Sequence, residues 1–234
     1  MKRRDIYISA GHSNFLSKDR GAVGNGFIEG ELAVEFRNLV IAELRKLGAK
    51  VITDPDSNVL RETLAFFRNK TTNDCIVLDI HWNSATPRAT GTETLIPSQN
   101  TTFERTLAQK LSETVSDTLG IPLRGTNGVK TELESHHGSL GWMRLTGENV
   151  LMEVCFISNA ADMKKYQTNK NLLAQRIAKV LFDFSETGLQ KTYTVVKGDT
   201  LAKIAKNNNT TVEKIKSDNK LLTDTIRVGQ VLKI

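Results

Sequence analysis

Short apolar runs alternate with long stretches in which apolar residues return every three or four positions, and this alternation persists to residue 184. "DIYISA" (5–10), "CIVLDIH" (75–81) and "NVLMEVCFI" (149–157) are too short for helices and apolar enough for buried strands. Between them, "ELAVEFRNLVIAELRKLG" places Leu32, Phe36, Leu39, Val40, Leu44 and Leu47 along one helical face. Glu29 and Glu31 sit near its positive end and Gly48 is a stop. Further helices are expected at 57–70, 101–120 (stopped by Gly120 and Pro122) and 170–184. Shorter strands are expected at 50–54 and 92–96. Strands alternating with helices predict an α/β domain of three layers, with a mostly parallel or mixed sheet flanked by helices.

After Phe184 the pattern changes. "SETGLQK" (185–191) reads as a polar linker. Residues 192–234 read strand, helix, helix, strand, a small α+β unit of βααβ order. A unit this small has a marginal core, so its fold has to be regular. The expected domains are thus 1–184 and 192–234.

Composition narrows the function. The chain is 39% hydrophobic and 25% charged, as in ordinary globular proteins. It has no run of 18 apolar residues, so no membrane insertion is expected. The start, "MKRRDIYISAGH", lacks the long apolar stretch of a secretory signal, which predicts synthesis in the cytoplasm without a signal peptide. Cys75 and Cys155 are expected as buried free thiols in neighbouring strands. The net charge of +6 suits nucleic acid, an anionic membrane or an anionic polymer such as a cell wall, and charge alone does not choose among them. With 6% aromatics and no Lys/Arg block interleaved with them, nucleic acid is not an expected partner.

The chemistry-bearing residues lie at strand ends. His12 follows "YISAG" and His81 follows "VLDI". In a mostly parallel sheet the carboxyl ends share one edge, so two such histidines can converge. Glu29 opens the first helix, either as a helix-terminus charge or as a ligand, with Glu31 as its rival. Glu153 interrupts the apolar run "VLMEVCF", where a carboxylate is costly unless paired, ligating or held near neutral. His136 and His137, in "ELESHHGS", read as solvated loop residues or as contacts at the rim of a cleft.

Four segments in this order, "GH", "GAVGNGFIEGELA", "LDIHWNS" and "VLMEVCFISNAADM", resemble the amidase-3 family of zinc-dependent N-acetylmuramoyl-L-alanine amidases. The resemblance spans roughly residues 4 to 184. It implies a hydrolase-like α/β fold and a zinc ion (Zn2+) bound by His12, Glu29 and His81, with Glu153 as catalytic base. The implied substrate is peptidoglycan, cut between the lactyl group of N-acetylmuramic acid and the L-alanine of the stem peptide. Three departures stand out: "SAGHSN" around the first GH, where a proline and paired glycines are usual, Asp79 where serine is usual, and Cys155 where glycine is usual.

The tail resembles a LysM repeat. It carries "YTVVKGDTLAKIA" at its opening, "TVEKI" at its centre and "IRVGQVLKI" at its close. That resemblance implies glycan binding beside Gly198, Asp199, Thr200, Leu201 and Asn219. A tethered module raises the local concentration of a catalyst on an insoluble polymer. The expected protein is a monomeric, endolysin-like wall hydrolase released through a holin or by another non-Sec route, with a bacterial autolysin or an enzyme acting inside a sporulating cell as the other origins. A zinc peptidase cutting within the stem peptide, or an inactive wall-binding protein, are the alternatives.

Overall fold

The computed structural model describes residues 3–12, 19–136, 138–186, 192–208 and 210–233. The chain divides into two compact units, Met1–Glu186 and Thr187–Ile234. In order, the first unit contains β1 (Asp5–Ala10), β2 (Val23–Gly24), β3 (Phe27–Ile28), α1 (Glu29–Lys46), β4 (Val51–Ile52) and α2 (Leu60–Arg68). It continues with β5 (Cys75–Asn83), β6 (Glu93–Ile96), α3 (Thr102–Leu119), β7 (Val129–Thr131), β8 (Glu148–Phe156) and α4 (Ala160–Glu186).

Six strands form one sheet in the order β4-β1-β5-β8-β6-β7. Every neighbouring pair is parallel except β8 and β6, which run antiparallel. The strands therefore form the mostly parallel, mixed sheet that the alternation predicts.

Side-chain period divides the sheet into two faces. Ile6, Ile8, Ile76, Leu78, Ile80, Trp82, Val150 and Met152 enter the core under α1, α3 and α4. Tyr7, Cys75, Val77 and Leu151 point the other way, towards Phe67 of α2 and Trp142. Trp82 is locked edge-on between Phe36 of α1 and Tyr166 of α4, with ring centroids 6.1 and 5.1 Å away. Its burial fixes the register of β5, and with it the direction in which its neighbour His81 projects.

Helix α3 starts with a reciprocal capping box. The Thr101 hydroxyl accepts from the Glu104 amide at 3.0 Å, and the Glu104 carboxylate accepts from the Thr101 amide at 2.8 Å. It ends on Gly120 in the left-handed conformation, as "TLG-IP" suggests.

Three elements differ from the sequence expectation. Helix α4 begins ten residues earlier than 170 and runs on through Ser185 and Glu186. The rest of the expected linker, 187–191, lies outside the described residues. Strand β7 was not expected. The long segment after His12 contains a hairpin, β2–β3, around Asn25 and Gly26, both with positive φ. That is the Asn-Gly turn whose twist suits adjacent strands.

The second unit contains β9 (Thr192–Thr194), α5 (Leu201–Asn207), α6 (Val212–Asn219) and β10 (Val231–Lys233), with β9 and β10 antiparallel. This is the expected βααβ order. Val195, Leu201, Ile204, Ala205, Ile215 and Leu232 form its small core.

Candidate metal centre and catalytic cleft

Strands β1, β5 and β8 are parallel neighbours, so their carboxyl ends open on one edge. A cleft of about 880 Å³ lies there, lined among others by His12, Glu29, His81 and Glu153. His81 lies inside β5 rather than beyond it, because the strand runs on to Asn83, with a register shift between the two.

Glu29 is the first residue of α1 and is buried, whereas Glu31 is exposed. Two backbone amides hold its carboxylate: Ala22 donates to Oε2 at 2.8 Å and Trp82 to Oε1 at 3.0 Å. The loop before the helix is tied down in turn, with the Glu29 and Gly30 amides donating to the carbonyls of Ala22 and Arg20. These bonds satisfy amide groups that the first turn of a helix leaves open.

Both histidines face this carboxylate. His12 Nε2 lies 3.4 Å from Glu29 Oε2, and His81 Nδ1 lies 3.1 Å from Glu29 Oε1. The candidate ligand atoms of His12, Glu29 and His81 all fall within 4.8 Å of one another. Ligands about 2.0–2.1 Å from a tetrahedral zinc would be about 3.4 Å apart. The donor set and its separations therefore fit such an ion after small adjustments.

The outward ring nitrogens are occupied as well. His12 Nδ1 lies 2.7 Å from Asp19 Oδ1, and His81 Nε2 lies 3.1 Å from Asp79 Oδ2. A carboxylate behind each imidazole orients the ring and leaves the inner nitrogen for a metal. Asp79 and His81 are two apart on one strand, so they share a face. Gly11 gives the His81 ring its room, since a Cβ there would lie 2.0 Å from Nε2.

Without a cation these groups stabilise one another. Burial opposes charge on both rings, but Glu29 hydrogen-bonded to His12, with Asp19 behind it, raises the His12 pKa. Asp79 and Glu29 likewise outweigh burial at His81 and raise its pKa well above the ordinary value. Burial would raise the Glu29 carboxyl, yet hydrogen bonds from His12 and His81 hold it well below the usual carboxylate range.

Glu153 behaves oppositely. Burial pushes its carboxyl up to about 7, with Glu29 and Glu93 adding to the rise and the His81 charge opposing it. Its Oε2 is enclosed and has no hydrogen-bond partner among the described residues. A carboxyl poised near neutrality is suited to accepting and returning a proton.

Beyond Glu153, β6 contributes Glu93, a buried carboxylate that the sequence reading did not single out. It accepts from Asn83 Nδ2 at 2.9 Å, and its Oε2 is paired with Arg124 at 3.0 Å and Lys130 at 2.6 Å. His136 is exposed and lines the cleft; His137 lies outside the described residues. Cys75 and Cys155 are buried free thiols on adjacent strands.

In the second unit the singled-out side chains hold the fold. Asp199 accepts from the Tyr193 hydroxyl and the Val196 amide, both at 2.8 Å. Thr200 caps α5 by accepting from the Lys203 amide at 3.2 Å, and Leu201 is buried in the core. Asn219 donates to the Ile215 and Lys233 carbonyls at 2.7 Å and accepts from the Lys233 amide at 2.8 Å. Gly198 supplies a positive φ of 92° in the turn before them.

Residues 6–183 match the N-acetylmuramoyl-L-alanine amidase family, and residues 193–234 match the LysM domain. A putative N-acetylmuramoyl-L-alanine amidase from Neisseria meningitidis is similar at 30% identity. That match covers 76% of this chain and 93% of the other, with a TM-score of 0.63. The catalytic domain of the CD27L endolysin targeting Clostridia difficile shares the fold at 21% identity and a TM-score of 0.56, over 77% of this chain and 97% of that one. The uncharacterized protein YqiI of Bacillus subtilis (strain 168) is 29% identical over 166 residues, 69% of this chain and 74% of its own. The chain belongs to the N-acetylmuramoyl-L-alanine amidase family of peptidoglycan hydrolases and carries a LysM domain, a glycan-binding module, behind its amidase domain.

Proposed function

We propose that the amidase works with one zinc ion held by His12, Glu29 and His81, with Glu153 as general base. The observation that carries this reading is the convergence of two imidazoles and a carboxylate within 4.8 Å, in a cleft that also holds a carboxyl raised to about 7. Zinc, when bound, supplies Lewis-acid polarisation of the substrate carbonyl and brings the pKa of water to about 7. Asp19 and Asp79 keep the two rings turned towards Glu29. Glu153 takes the proton of the attacking water and returns it to the nitrogen of L-alanine as the amide breaks. The free stem peptide and the lactyl carboxylate are the products.

Residues 1–184 form the catalytic domain in this reading and residues 192–234 the tether, joined by 185–191. Gly198, Asp199, Thr200, Leu201 and Asn219 shape the glycan groove, Gly198 through its positive φ and the others chiefly through the backbone that their side chains fix. The protein acts as a monomer on the wall in an endolysin-like role. Among the described residues no helix is long and apolar enough to cross a membrane.

The test is mass spectrometry of fragments released from purified peptidoglycan, with and without a chelator. Stem peptides beginning with L-alanine, lost on chelation and restored by zinc, support the reading. Fragments cut within the stem peptide, or digestion at full rate without metal, overturn it.

A further inference from the structure

The cleft has a cationic end that the metal centre does not use. Glu93 and Glu153 lie directly opposite one another on the antiparallel pair β6 and β8. Arg124 and Lys130 both reach the Oε2 of Glu93, and all four residues line the cleft. Two cations on Glu93 leave a local positive surplus beside the general base, which the exposed Glu134, attracted to Lys130, offsets in part. The Arg124 guanidinium is set over the Phe156 ring, 4.8 Å from its centroid. Its Nε is spent on Glu93, whereas Nη1 and Nη2 have no partner among the described residues. A stacked guanidinium with its fork free is pre-organised to take a carboxylate through two parallel hydrogen bonds.

We infer that Arg124, supported by Lys130, binds a carboxylate of the stem peptide on the leaving side of the cleaved amide. This rests on the reading that the amide is cut between the metal site and Glu153. The distance selects the residue. One strand spacing of about 5 Å plus an ion-pair contact of about 3 Å separates Glu153 from the guanidinium. An extended peptide advances about 3.3–3.6 Å per residue. The carboxylate that meets Arg124 is therefore carried by the second or third residue of the stem peptide. Glu93 sets specificity by holding both cations in place and by repelling a carboxylate that enters too deep.

The test uses the zinc-loaded full chain and two pairs of soluble muramoyl peptides. The members of each pair differ only in whether the carboxylate on the second, or on the third, residue is free or amidated. The wild type is expected to favour the free carboxylate in one pair by about tenfold or more in kcat/KM, the scale of one charged hydrogen bond. Arg124→Gln is expected to bring that ratio close to one, and Arg124→Lys to keep part of it. Because the readout is a ratio within one enzyme, general damage to the fold cancels. A wild-type ratio near one in both pairs overturns the inference, as does an Arg124→Gln variant with the wild-type ratio. Glu153→Gln cutting either peptide at the wild-type rate overturns the placement of the scissile bond, and this inference with it. Loss of the carboxylate preference alone leaves that placement standing.

Discussion

His81 on β5 and Glu153 on β8 occupy the same register position of a parallel ladder. Paired residues in such a ladder project to the same face, so the ring proposed to hold zinc and the carboxyl proposed to move the proton enter one cleft from adjacent strands. No loop has to fold over to bring them together. The two roles should nevertheless separate on mutation, since Glu153 is not among the three grouped ligand residues.

Glu153→Gln is expected to bind one zinc per chain, as the wild type does, and to lose turnover by about a hundred- to ten-thousand-fold, the usual worth of a general base. His12→Ala and His81→Ala should lose the metal along with activity. Metal analysis beside a dye-release assay on purified walls checks both. A Glu153→Gln protein that has lost its zinc would place this carboxylate among the ligands instead.

Asp79 offers a test of the carboxylate behind a ligand. It is 2% exposed, touches His81 Nε2 at 3.1 Å, and leaves its Oδ1 without a partner among the described residues. Asp79→Ser removes the contact that turns the ring. Zinc affinity, read by chelator competition, should fall about 10–100-fold, the range for such outer partners. Unchanged affinity would mean that packing around Gly11 and Trp82 orients His81 without help.

Gly11→Ala examines that packing directly. The new methyl would overlap the His81 ring, with Nε2 at 2.0 Å and Cε1 at 2.1 Å. The neighbouring strand backbone can stay in place while the ring swings away. The variant should keep its far-ultraviolet circular dichroism and thermal transition nearly intact while its zinc stoichiometry falls well below one. Full zinc occupancy in this variant would show that the ring can be held from another position.

The sequence made the layered fold readable because period-2 strands and period-3.6 helices leave different marks. Ile76, Leu78 and Ile80 alternate with Val77 and Asp79, and the two sets go to opposite faces. The first ten residues of α4 were not readable in the same way. "KKYQTNK" is mostly polar there, and the buried face is marked only by Met163 and Tyr166 beside the polar Asp162. The Asn25-Gly26 turn was a usable hairpin signal, but two-residue strands gave it no apolar alternation for support. At the site, His12, His81, Glu29 and Glu153 were visible as polar residues at strand ends, at a helix start and within an apolar run. Asp19 carried no comparable signal, since it lies in no apolar run and no predicted strand or helix. Glu93 could have been found by the reasoning applied to Glu153, as a carboxylate inside the short strand "TETLI".

The raised pKa of Glu153 also carries a stability consequence for the metal-free protein. Burial lifts its carboxyl from an ordinary 4.5 to about 7. Between those values the folded protein keeps a proton that the unfolded chain has released, so raising the pH favours unfolding. The amidase unit should therefore lose stability from pH 4.5 to 7 through this group, by up to about 3 kcal/mol if the whole interval is realised. Glu153→Gln has no proton to lose at this position, so its advantage over the wild type should widen across that interval. Both tryptophans, Trp82 and Trp142, are buried in the first unit, so their fluorescence in urea follows its unfolding alone. Zinc should narrow the gap, because a nearby cation favours the carboxylate. A stability difference between the two proteins that does not change from pH 4.5 to 7 would show that Glu153 is already ionised throughout, and would remove the basis for its poised carboxyl.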